Sequence, residues 1–72
     1  MNLTQPQTRS IKALVNKVAR HNDCDANEVE TIFKQGGDRS VMVRAQVRIS
    51  GYLTGVVAFV GPRGAISGVE YL

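Results

Sequence analysis

At Ser40 the hydrophobic period of this chain changes from helical to alternating. Beyond that point Val41, Val43, Ala45, Val47 and Ile49 interleave with Met42, Arg44, Gln46 and Arg48. Strict alternation puts one set of side chains on each face of a pleated strand. Ser50 and Gly51 then form a turn pair, residues 52–60 a second strand, Gly61, Pro62, Arg63 and Gly64 a second turn, and residues 65–71 a third strand.

Before Ser40 the spacing is that of helices. Ile11, Leu14, Val15 and Val18 gather on one side of a helix, while Arg9, Lys12, Asn16 and Arg20 line the other. Thr4 with Gln7, and Pro6 in the first turn, make a capping start. Asp25 and Glu28 repeat the capping signal, Val29, Ile32 and Phe33 supply a second buried face, and Gly36 with Gly37 would end that helix. The expected fold is α+β: two N-terminal helices packed on one face of a three-stranded antiparallel β-meander, in the order ααβββ.

Seventy-two residues make one small domain, 1–72, whose first seven residues are expected to be partly flexible. A chain of this size buries only about 60% of its unfolded surface, so its core needs support. One cysteine cannot form an internal disulfide, and one Cys with one His falls short of a four-ligand zinc site. Self-association is the remaining common support, and a homo-oligomer without cofactor or metal is expected. The longest apolar run, Val56 to Val60, is far too short to cross a bilayer, which points to a soluble, cytoplasmic protein with no membrane partner.

Strand pairing assigns each face a task. A two-residue loop at Ser50 and Gly51 sets Ile49 opposite Tyr52, Val47 opposite Thr54, Ala45 opposite Val56 and Val43 opposite Ala58. With a four-residue loop at 61–64, Ala65, Ser67, Val69 and Tyr71 join that apolar face, which seats the helices. The other face then carries Met42, Arg44, Gln46, Arg48, Leu53, Gly55, Val57, Phe59, Ile66, Gly68, Glu70 and Leu72. Its apolar members Met42, Leu53, Val57, Phe59, Ile66 and Leu72 form a patch that monomers seldom leave in water, and they are the expected partner or oligomer interface. A loop one residue longer would exchange the faces of a strand.

Charge falls in three blocks. Residues 1–22 carry Arg9, Lys12, Lys17 and Arg20 with no acid; residues 23–38 carry Asp23, Asp25, Glu28, Glu30 and Asp38 against Lys34; residues 39–72 carry Arg39, Arg44, Arg48 and Arg63 against Glu70. The acidic middle would repel phosphate, so a DNA or RNA partner is expected to meet Arg44, Arg48 and Arg63, supported by Arg9, Lys12 and Arg20. A helix-turn-helix is disfavoured because the second helix would bring Glu28 and Glu30 into the major groove.

His21, Asp23, Cys24 and Asp25 are the only cluster with catalytic residue types, and they read as a polar connection in which Asp25 caps. Gly61, Pro62, Arg63 and Gly64 have the spacing of the GXXG loop of KH domains. That loop joins two helices, whereas this segment lies between strands and reads as a hairpin turn. With no nucleophile, base and oxyanion donor in one place, the chain is expected to be non-enzymatic. Two functions fit: a nucleic-acid-binding regulator using Arg and Lys, or a protein-binding inhibitor or adaptor using the apolar sheet face. The latter is in the manner of small accessory proteins of bacteria, phages and plasmids.

Overall fold

Helix α1 (Gln5–His21) starts where its capping signal falls. The Thr4 hydroxyl accepts the Gln7 backbone N–H at 3.1 Å, and the Gln7 side-chain oxygen accepts the Thr4 N–H at 2.9 Å. These contacts belong to a computed structural model that describes residues 2–72. Residues 4–7, expected within a partly flexible end, form the helix cap and first turn. The buried stripe Gln7, Ile11, Leu14 and Val18, with Ala19 beside it, recurs at helical spacing and faces a sheet.

The second helix is not there. After a single 3-10 turn, Ala26–Glu28, the chain enters strand β1 (Glu30–Gln35), followed by β2 (Val41–Ile49), β3 (Tyr52–Val60) and β4 (Ile66–Tyr71). The expected two helices and three strands are therefore one helix and four antiparallel strands, in spatial order β1-β2-β3-β4. The capping box at Asp25 and Glu28 does form, with the Asp25 N–H donating to the Glu28 carboxylate at 2.8 Å. It closes one turn only, because the β-branched Thr31 and Ile32 and the aromatic Phe33 favour a strand and find a six-residue partner in β2. Gly36 and Gly37, which would have ended a helix, open the β1–β2 hairpin instead: Gly36 N–H donates to Ser40 C=O at 2.9 Å, and Asp38 and Arg39 take left-handed φ values of 55° and 61°.

The β2–β3 register is the one the two-residue loop implies, from Ile49 opposite Tyr52 through Val43 opposite Ala58. The β3–β4 register differs from expectation. Val60 pairs with Ile66 and Phe59 with Ser67, so the loop is one residue longer and Ile66 moves to the helix-bearing face. A bulge then restores the expected phase: Gly68 and Val69 share the place opposite Ala58, Gly68 adopts φ 59°, and Glu70 and Tyr71 face Val57 and Val56.

The core lies between α1 and the middle of the sheet, and comprises Ile11, Leu14 and Val18 against Val41, Val43, Ala45, Val47, Val56, Ala58 and Val60. Its largest fully buried side chains are only valines, Val43 and Val60. Gln7 is the one polar residue in this region, 2% exposed, and its side-chain N–H groups donate to Arg39 C=O at 3.0 Å and Val60 C=O at 3.2 Å. The same side chain thus caps the helix and ties it to the sheet. The turn at 61–64 is tied down as well, with the Thr4 hydroxyl donating to Pro62 C=O at 2.7 Å and the Ser10 hydroxyl to Gly64 C=O at 2.6 Å.

Candidate binding surface

All four aromatic residues lie outside the core: Phe33 is 39% exposed, Phe59 42%, Tyr71 70% and Tyr52 79%. Large aromatic side chains normally carry core or interface energy, yet the buried core here is wholly aliphatic.

The sheet face turned away from α1 is open. Cross-strand rows there run Lys34, Met42, Phe59, Ser67; then Ile32, Arg44, Val57, Glu70; then Glu30, Gln46, Gly55; and Arg48 beside Leu53. Met42, Arg44, Gln46, Leu53 and Val57 are half-buried, whereas Ile32 and Phe59 are exposed. Gly55 leaves a gap in this surface because a Cβ there would sit 2.0 Å from Ala45 C=O on the next strand. Gln46 donates to the Glu30 carboxylate at 2.5 Å. Arg44 Nε and Gln46 Oε1 are closed off from solvent and find no hydrogen-bond partner among the described residues. A shielded donor and acceptor without partners are costly, and they call for an explanation.

The cations expected to contact nucleic acid are not brought together. Arg44 and Arg48 lie on the open face, Arg9, Lys12 and Arg20 are exposed along α1 on the far side of the sheet, and Arg63 is exposed in the β3–β4 turn. Of the expected interface residues, Met42, Leu53, Val57 and Phe59 share the open face. Ile66 does not: it lies with Val60 on the helix side, for the reason of loop length given above. Leu72 donates its N–H to Gly55 C=O at 3.0 Å and lines a groove between α1 and β3–β4. That groove, about 580 Å³, is walled by Leu14, Val18, Val56, Ile66, Val69 and Tyr71, with Lys17 Nζ 5.9 Å from the Tyr71 ring centre.

Three open-face residues, Glu30, Ile32 and Lys34, were hidden from sequence reasoning because their segment carried a helix-start signal. The run Thr31, Ile32, Phe33 was the available clue to a strand. Cys24 packs against the core from the α1–β1 connection, and burial, then the carboxylates of Glu28, Asp25 and Asp23, push its thiol up from the ordinary range. This is the opposite of an activated nucleophile. Among the described residues no three His, Cys, Asp or Glu side chains gather as a metal site, and no helix is long and apolar enough to cross a membrane.

Compared with protein-family models, curated proteins and solved structures, the chain matches none.

Proposed function

We propose that this chain is a non-enzymatic protein-binding module, an inhibitor or adaptor, that docks through the open face of its sheet. The observation that carries the reading is the contiguous apolar set Ile32, Met42, Leu53, Val57 and Phe59 on a sheet face that no element of the chain covers, with Arg44 in its midst. A partner surface with apolar side chains would cover the hydrophobic positions, and a carboxylate at its rim would complement the cations. The remaining cations of this face, Lys34 and Arg48, complement the same acidic chemistry. Aromatic and arginine anchors at the centre of such a patch are where binding energy concentrates.

One observation supports a second reading, binding to nucleic acid. Arg9, Lys12, Lys17 and Arg20 are exposed on α1, which carries no acid along its length. That stripe could follow a phosphate backbone, and three or four contacts to duplex DNA would give a log-log salt slope of about −3 to −4.

One experiment separates the two. Immobilised wild-type chain, Phe59→Asp and the double variant Lys12→Glu/Arg20→Glu are each exposed to native host extract with and without nuclease. Under the protein-binding reading a nuclease-resistant partner is retained by the wild type and the helix variant, and is lost with Phe59→Asp. Retention that disappears with nuclease and with the helix variant, while surviving Phe59→Asp, overturns that reading in favour of nucleic acid.

A further inference from the structure

The two edges of the sheet are built differently. β4 is broken by the Gly68–Val69 bulge, a device that protects an edge from pairing. β1 has six residues in unbroken register with β2, contains neither Gly nor Pro, and is exposed everywhere but Thr31. An edge strand in that state presents a row of unpaired backbone N–H and C=O groups, a template for another strand.

We propose that β1 pairs antiparallel with β1 of a second copy of this chain, about a two-fold axis through Ile32. Residues opposed across an antiparallel pair must point their backbone groups the same way, so a two-fold axis falls on a residue and not between two. Placed on Ile32, it sets Ile32 against Ile32, Thr31 against Phe33 and Glu30 against Lys34, each of the last two twice by symmetry. Glu30, Ile32 and Lys34 all belong to the open face, opposite Gln46, Arg44 and Met42 on β2, so the two ion pairs form on the same face of the sheet and flank an apolar Ile–Ile contact, one at each end. Thr31 and Phe33 belong to the helix-bearing face, where each Phe33 meets a β-branched neighbour.

The neighbouring axes are poorer. Centring on Phe33 sets Ile32 against Lys34 and leaves Glu30 opposite Gly36, beyond the strand. Centring on Thr31 sets Ile32 against Glu30 and Lys34 against Glu28, which lies in the 3-10 turn. Charge and hydrophobic complementarity together select Ile32. The product is one eight-stranded antiparallel sheet with both α1 helices on the same side, which places the two open faces edge to edge. Association by this route also gives a domain with a small valine core the support it lacks. The proposal concerns the edge and stands apart from whatever docks on the face.

The test uses the full chain, with Glu30→Lys and Lys34→Glu as separate variants. Wild type should sediment as a dimer at about 100 μM, the range expected for an interface this small. Each variant alone places like charges opposite each other twice and should weaken the dimer about tenfold or more. Mixed one to one they oppose Lys with Glu at both sites, and a heterodimer should return. Amide exchange across β1 in the wild type should slow with concentration, a readout independent of how well the variants fold. Phe59→Asp should leave the dimer intact. A wild-type monomer at that concentration, or variants that fail to recover on mixing while their circular dichroism is normal, overturns the proposal. So does a dimer that ignores both charge variants and dissociates with Phe59→Asp, which would put the two-fold on the open face.

Discussion

The central strands and the outer strands of this sheet live in different environments. Along β2, Val41, Val43, Ala45 and Val47 are buried, and along β3 so are Gly55, Val56, Ala58 and Val60; β1 and β4 are exposed at nearly every residue. The cause is geometric. A helix is about 10 Å across and strands lie about 4.8 Å apart, so one helix covers two strands. Four strands under one helix therefore leave two flanks whose apolar side chains, Phe33 on one side and Ile66, Val69 and Tyr71 on the other, are not enclosed by the domain itself. Buried apolar surface is concentrated in the middle of this molecule, and exposed apolar side chains at its margins and on its open face.

The sharpest way to break that contrast is at Gly55. Its φ is 150°, and an added Cβ would meet Ala45 C=O at 2.0 Å and Gln46 Cα at 2.8 Å, all of it partner-strand backbone that cannot swing aside. Gly55→Ala should cost about 4 kcal/mol or more, the range reached only by severe mechanisms, and a domain this small would be largely unfolded. Circular dichroism at 25 °C is the check; a fully folded variant would mean that the β2–β3 hairpin is less tightly coiled than described.

Next comes Gln7. Gln7→Ala removes the reciprocal cap to Thr4 and leaves Arg39 C=O and Val60 C=O without their donor. A loss of about 1–3 kcal/mol is expected, lowering the melting temperature by about 4–8 °C for each of them. Gln7→Glu keeps the acceptor to Thr4 but removes the donors, so it should recover little of the loss near neutral pH. Full recovery would show that the cap alone matters and the tie to the sheet does not.

Much of this arrangement could be read from the residues, and the failures have physical causes. The period-2 run from Val41 and the Ser50–Gly51 turn dictated the β2–β3 pairing, because an apolar alternation has one way to face a core. Thr4 and Gln7 announced the start of α1, yet nothing in the sequence showed that Gln7 also reaches the sheet, since that depends on where the distant Arg39 and Val60 carbonyls lie. β1 was missed because Asp25 and Glu28 are a genuine cap whose reach is one turn, and local signals do not say how far a helix continues. Ile66 was misplaced by one loop residue, and the Gly68 bulge hid the error by restoring the phase at Glu70. On the open face, Met42, Leu53, Val57 and Phe59 followed from alternation alone, whereas the lack of a partner for Arg44 Nε and Gln46 Oε1 is a property of packing.

On the outer strands the same kind of substitution should do little to folding. Ile32→Ala and Val69→Ala remove exposed side chains from β1 and β4, and each should change unfolding free energy measured on dilute, monomeric chain by no more than about 0.5 kcal/mol. The two should part company as concentration rises, because Ile32 lies on the proposed two-fold and Val69 in a bulge. A concentration-dependent melting temperature in the wild type that Ile32→Ala abolishes and Val69→Ala retains would sharpen the contrast between the edges. A large loss from either variant in dilute solution would contradict the placing of stability in the central pair.

The smallest effect is expected at Cys24, in the connection that leads from α1 to the exposed edge. Burial raises its pKa, and the negative field of Glu28, Asp25 and Asp23 raises it further. At any given pH the folded chain therefore holds less thiolate than the unfolded chain, and thiolate is the form that alkylates. Iodoacetamide should react more slowly with the native protein than with the same protein in denaturant, and the native rate should begin its rise at a higher pH. Removing the carboxylates one at a time should bring that onset back down, with Glu28→Gln moving it most because its field is the strongest of the three. Cys24→Ser keeps size and loses only a half-buried sulfur, so the melting temperature should hardly move. A native thiol that reacts faster than the denatured one would reverse the sign of the argument, showing an activated cysteine where the fold describes a passive one.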